Sequence, residues 1–167
     1  MCMLTLMAAG PRPSALQREL RQSKPFPGPE QEGAVALLRT ADLVRREVER
    51  ALEPLGITGQ QFNVLRILRG ARPGPLPTLE IADRMIEQAP GITRLLDRLE
   101  VRSLVKRERC QEDRRRVLCS ITAAGLELLR AADGPVHAAE RAVLGRLRGP
   151  QLSQLLKLLG TVRGVEG

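Results

Sequence analysis

One stretch constrains this chain more than any other. It runs from Thr78 to Thr122, and within it the apolar period changes from helical to two. Leu79, Ala82 and Ile86 recur at i, i+3 and i+7, which predicts a short helix with Thr78 as its N-cap. Pro90 suits the first position of a second helix and biases Ala89 away from helix, which makes the turn. In that second helix Ile92, Leu95, Leu96 and Leu99 form the apolar face; Gly91, Thr93, Arg94, Asp97 and Arg98 take the other. Two strands follow, Leu104–Cys110 and Arg115–Ile121, joined by the charged loop Gln111–Arg114. Val117, Cys119 and Ile121 alternate with Arg116 and Ser120, the period of a half-buried strand, and only Leu118 interrupts it. Helix, turn, helix and charged hairpin in this order make a winged helix-turn-helix, an arrangement that reads DNA.

Charge supports that reading. From Arg102 to Arg116 there are seven basic and three acidic residues, a local balance of +4, where a wing meets phosphates or a minor groove. The whole chain carries +8, which suits a polyanionic partner, although charge alone does not separate that from a merely soluble surface. Arg94 and Arg98 lie one turn apart on a helix with a small N-terminus, a shape that fits a major groove.

Four segments in this order resemble the MarR-type transcriptional regulators. They are the run from Gly91 to Glu100, the strand start Leu104-Val-Lys-Arg107, the triplet Asp113-Arg114-Arg115, and Ile121-Thr-Ala-Ala-Gly125. The resemblance spans about residues 30 to 163. It implies a two-fold dimer, a DNA operator, and a small, often aromatic effector in the cleft between DNA lobe and dimer helices. It also implies that Arg115 enters the minor groove while Asp113 buttresses it. Ser103 departs from the pattern, since the family usually ends its recognition helix on a left-handed glycine.

The flanks read as helices. Residues 1–29 hold five of the twelve prolines and form an arm that wraps a partner subunit or stays disordered, with a short helix expected over Ser14–Gln22. Glu30–Leu55 is a long helix whose stripe runs through Leu38, Ala41, Val48, Leu52 and Leu55, with Gly56 as its end. Thr58 and Gln61 form a capping box for a helix carrying Phe62, Leu65 and Leu68. Leu76 adds a short strand beside the wing. Thr122 caps a helix that Gly134-Pro135 is expected to kink or break. Gly149-Pro150 opens a last helix carrying Leu152, Leu155, Leu156, Leu159 and Val162. The fold class is therefore mainly α with a small β wing. Its parts are the arm (1–29), a DNA-binding lobe (about 58–122), dimerisation helices (about 30–55 and 123–163) and a tail (164–167).

The partners expected are double-stranded DNA with an inverted-repeat operator, a second copy of the chain, and a small-molecule effector, for which Phe62, Leu38 and Met85 are lining candidates against a plain core role. No cofactor, metal site or membrane association is read. An enzyme is disfavoured, because His137 is the single histidine and has no nucleophile beside it in sequence. The DNA-binding candidates are Gly91, Thr93, Arg94, Asp97, Arg98, Asp113, Arg114 and Arg115. Three cysteines without metal spacing and no visible signal peptide point to a reducing cytoplasm. Two alternatives stay open. One is a thiol-oxidation sensor through Cys110, which follows Arg107 and Arg109. The other is a winged-helix module that binds protein, or DNA without sequence preference.

Overall fold

The computed structural model describes residues 12–71, 73–87, 91–113 and 115–165. Its order is α1 (Ala15–Glu19), α2 (Pro29–Leu52) with a 3-10 turn at Glu53–Leu55, α3 (Gly59–Gly70), β1 (Leu76–Pro77), α4 (Thr78–Asp83), α5 (Ile92–Val101), β2 (Val105–Arg109), β3 (Val117–Ile121), α6 (Ala123–Leu144) and α7 (Gly149–Val162). The chain divides into two compact units, Met1–Leu43 and Val44–Gly167, with the boundary inside α2.

In the first unit the Ser14 hydroxyl caps α1 by accepting from the Gln17 amide at 3.1 Å. Arg39 pairs with Glu19 at 3.0 Å on the surface. Leu38 belongs to the apolar stripe read from sequence, yet it is 72% exposed and is no core residue of this chain.

The second unit holds the core. Leu65, Leu68, Ile81, Leu96, Leu99, Val105, Cys119 and Leu129 are almost wholly removed from water, so α3, α4, α5, α6 and the sheet share one apolar centre. Each buried leucine contributes roughly 1.5–3 kcal/mol relative to an exposed one. The sheet is antiparallel in the order β1-β3-β2, with Leu76 opposite Cys119 and Arg107 opposite the same cysteine on the other side. The expected short strand at Leu76 is present.

Local signals explain most boundaries. Gly56 ends the 3-10 turn in the left-handed region at φ 64, a conformation glycine adopts without penalty. Thr58 and Gln61 form both bonds of the capping box, at 3.2 and 3.0 Å. Thr122 caps α6, accepting from the Gly125 amide at 3.0 Å.

Three expectations change. Thr78 is the first residue of α4 rather than its cap, and its hydroxyl donates to the Val117 carbonyl of β3 at 3.3 Å. The stripe Leu79–Ala82–Ile86 is not the buried face of α4: Leu79 and Ile86 are 78% and 79% exposed, while Ile81 is fully buried. A six-residue helix offers too few turns for spacing to fix its phase, and tertiary packing sets it instead. Finally, α6 runs continuously through Pro135. The carbonyl that loses its partner belongs to Ala131, which is exposed like Pro135 itself, so water can satisfy it.

Candidate nucleic-acid interface

The second helix of the helix-turn-helix read from sequence is α5. Its N-cap is Gly91 at φ 105, a backbone conformation that a side chain would strain. Pro90, with residues 88 and 89, lies outside the described residues. Leu96 and Leu99 are wholly buried, and Ile92 and Leu95 pack partly against the same core. That anchors one face, so Gly91, Thr93, Arg94 and Arg98 are exposed on the surface, as the spacing predicts.

The C-terminal end of α5 is a Schellman turn. The Ser103 amide donates to the Glu100 carbonyl at 2.7 Å, and the Leu104 amide to the Leu99 carbonyl at 2.9 Å. Ser103 takes φ 56, so the serine adopts the left-handed conformation that the family pattern gives to glycine. Its carbonyl then accepts from the Thr122 hydroxyl at 2.7 Å. The start of α6 is thereby tied to the end of α5.

Asp97 lies with the DNA-facing candidates in sequence but is only half-exposed. Its carboxylate meets the Arg107 guanidinium of β2 at 2.6 Å. Glu100 meets the same guanidinium at 2.6 Å and also accepts from the Arg107 backbone amide at 3.2 Å. The guanidinium pKa is raised, chiefly by the hydrogen bond to Glu100, against the opposing effect of burial. Arg102 is likewise engaged, donating to the carbonyls of Gly56 at 2.6 Å and Leu55 at 3.3 Å. Lys106 pairs with Glu108 on the strand surface. The basic surplus counted from sequence therefore divides, with Arg102 and Arg107 bracing the fold and Arg109, Arg115 and Arg116 exposed.

The wing turn is built by Asp113. Its carboxylate accepts from the Arg115 amide at 3.0 Å, and its carbonyl from the Arg116 amide at 2.9 Å. The aspartate thus supports the backbone at Arg115. Arg114 lies outside the described residues. The Cys110 amide closes the hairpin onto the Arg116 carbonyl at 2.9 Å.

The two described thiols differ. Cys110 is partly exposed, whereas Cys119 is fully buried. Burial pushes the Cys119 thiol pKa up, with the Thr78 hydroxyl 3.7 Å away acting in the other direction. Among the described residues no group of histidines, cysteines and carboxylates could hold a metal ion, and no helix is long and apolar enough to cross a membrane.

A cavity of about 200 Å³ opens between α3 and α6, lined by Phe62, Arg66, Arg69, Val136 and His137 among others. Phe62 is 5% exposed with the Arg66 guanidinium 5.7 Å from its ring centre. Arg69 forms two bonds to Asp133, at 2.7 and 3.2 Å. Met85 packs against the core and is not among the residues lining this cavity.

Sequence reasoning missed Arg102, Arg107 and the hydroxyl of Thr78. Their partners lie far away in sequence or on a different element, so no local spacing announces them. Gly125 closes the segment Ile121-Thr-Ala-Ala-Gly125, and nothing in its local sequence explains why a glycine stands there. The structure supplies the reason: a Cβ there would stand 2.3 Å from the Leu104 carbonyl oxygen.

An exposed basic helix on an apolar core, flanked by a charged hairpin, defines a winged helix-turn-helix DNA-binding protein. The family model for the MarR family matches residues 57–117. An HTH-type transcriptional repressor of Mycobacterium tuberculosis is 33% identical over 123 residues, covering 74% of this chain and 87% of that protein. The crystal structure of a MarR transcription factor from Planctomyces limnophilus is 40% identical, with a TM-score of 0.64, covering 81% of this chain and 98% of that one. The same fold recurs in a mutant MarR from E. coli complexed with operator DNA, at 24% identity and a TM-score of 0.72, covering 89% and 99%. The chain belongs to the MarR family and is a DNA-binding transcriptional regulator.

Proposed function

We propose that the chain is a cytoplasmic repressor that binds an inverted-repeat operator as a homodimer. In this reading α5 enters the major groove, Arg94 reads a base edge, and Thr93 and Arg98 contact base or phosphate. The wing lies over the flanking minor groove, into which Arg115 reaches while Asp113 holds its backbone. The observation that carries the proposal is the division of α5, with Leu96 and Leu99 sealed in the core and Thr93, Arg94 and Arg98 exposed. The repressor name of the mycobacterial relative supports repression over activation.

Dimerisation has its own support. No residue of α7 is buried, and Leu156, Leu158 and Val162 are 62%, 53% and 69% exposed. An apolar helix face this wet in an isolated chain calls for a partner, and a second copy placed by a two-fold axis closes the contact. Residues of about 30–55 and 123–163 then serve association, and those of about 58–122 serve DNA. Release by a small ligand fits the cavity between α3 and α6, whose volume suits a single ring beside Phe62, with Arg69 already engaged by Asp133. Among the described residues the thiol alternative rests on Cys110, because Cys119 is buried.

The test begins with a duplex recovered from a random-sequence pool by the purified protein. It should contain an inverted repeat with half-site centres about 10 base pairs apart. On it, Arg94→Ala should lose about 1–3 kcal/mol per half-site and far less on scrambled DNA, as a bidentate base contact requires. Arg115→Ala should weaken both duplexes and reduce the salt slope by about one. Equal losses on both duplexes for Arg94→Ala would reduce that residue to a phosphate contact. A pool that yields no common sequence would remove the repressor reading in favour of non-specific binding.

A further inference from the structure

The side chain of Arg107 is unusual among the described basic residues of the wing. Its strand alternates, with Val105 buried beneath the sheet and Lys106 and Glu108 exposed. Arg107 therefore shares the face of Val105 and stands opposite the buried Cys119. This places a cation at the edge of the core, with its side chain only 23% exposed. There it meets both acids that α5 possesses. One guanidinium nitrogen lies 2.6 Å from Asp97 and 2.6 Å from Glu100, and Nε donates to Glu100 at 2.8 Å.

Without a partner those two carboxylates would cancel Arg94 and Arg98, leaving α5 neutral. Asp97 is adjacent in sequence to Arg98 and one turn beyond Arg94, so it would sit within a screening length of any phosphate those arginines approach. Resting on the reading of α5 as the DNA-contacting helix, we propose that Arg107 is a positioning residue that draws Asp97 and Glu100 onto the sheet and so masks their charge from DNA. It touches no base and no phosphate in this role. The arrangement explains how a helix with two acids and two arginines presents a basic surface.

A brace and a mask make opposite predictions when the acids are removed. If the triad merely stiffens the fold, Arg107→Gln and the double variant Asp97→Asn/Glu100→Gln should both weaken operator binding. If Arg107 masks charge, Arg107→Gln should weaken it roughly fivefold at about 0.1 M salt, a loss that shrinks as salt rises. The double variant should instead bind more tightly than the parent at low salt, because it keeps the arginine and loses both anions. Combining all three substitutions should give an affinity between those of the parent and the double variant, because the cluster then carries no charge where the parent carries −1 and the double variant +1. Melting curves run alongside confirm folding, and the double variant keeps the test decisive even where Arg107→Gln fails to fold. Arg94→Ala belongs in the same titration. Unchanged binding for Arg94→Ala would overturn the assignment of α5 itself. A loss for Arg94→Ala together with weakened binding by Asp97→Asn/Glu100→Gln would overturn the masking role alone.

Discussion

Gly125→Ala tests the junction between the recognition segment and α6. Gly125 is the third residue of α6, and its backbone is pressed against Leu104, the third residue after α5. A Cβ would lie 2.3 Å from the Leu104 carbonyl oxygen and 2.8 Å from Cγ1 of Ile121. The isoleucine can rotate, but the carbonyl is held. Its own residue closes the Schellman turn, and the oxygen accepts from the Thr122 amide at 3.1 Å. Restoring an ordinary carbon–oxygen contact needs a shift of roughly 1 Å, which breaks that bond or lifts α6. Overpacking of this kind costs about 1–3 kcal/mol, and losing the hydrogen bond adds about 1 kcal/mol. Against this stands the helix preference of alanine over glycine, at most about 1 kcal/mol and less in a first turn. The net destabilisation is about 2 kcal/mol, or a Tm lowered by about 4–8 °C in a chain of this size.

The measurement is urea and thermal unfolding at fixed protein concentration, since association moves the midpoint. Gly33→Ala is the control. It lies inside α2, is exposed, and a Cβ there meets nothing within 4 Å. It should stabilise by about 0.5–1 kcal/mol. If Gly125→Ala proves as benign as Gly33→Ala, the junction is not tightly packed and the argument fails.

Three further outcomes are expected. Ser103→Gly should stabilise the protein by about 1 kcal/mol in urea unfolding, because it relieves a left-handed non-glycine residue; destabilisation would mean that the serine earns its place by another contact. The stability of the parent should fall more steeply with pH than that of Cys119→Ala once pH passes about 8.5, the ordinary thiol value. The unfolded thiol ionises there first while the buried one keeps its proton, so the unfolded state binds fewer protons and stability drops; parallel pH curves would contradict this. Leu155→Asp and Leu156→Asp should dissociate the dimer in sedimentation, because a buried unpaired charge is costly. A parent that sediments at 18.4 kDa at micromolar concentration would end the two-fold reading.

Much of the fold is legible in sequence, wherever a signal and its consequence lie within one turn or one hairpin. The capping box at Thr58, the cap at Thr122, the end of the 3-10 turn at Gly56, the buried face of α5 and the alternation of β3 all have this character. The phase of α4 does not. With six residues, both Leu79 and Ile81 satisfy an apolar position, and only packing under the sheet selects Ile81. The candidate site divides on the same principle. Thr93, Arg94 and Arg98 are exposed because α5 is long enough for its period to decide. The fate of Asp97 depends on Arg107, which is ten residues away and on a strand, so spacing cannot assign it.

These long-range contacts have a common geometry. Arg102 ties the end of α5 to the carbonyls before α3, Arg107 ties its middle to β2, and Ser103 ties its last turn to Thr122 at the start of α6. Each lock joins α5 to a different neighbour, and together they hold it against rotation about its axis and against sliding along it. The close approach of Gly125 to Leu104 adds to these locks, because it presses the first turn of α6 against the backbone that ends the Schellman turn, so the exposed face of α5 is oriented by contacts gathered at its C-terminal half.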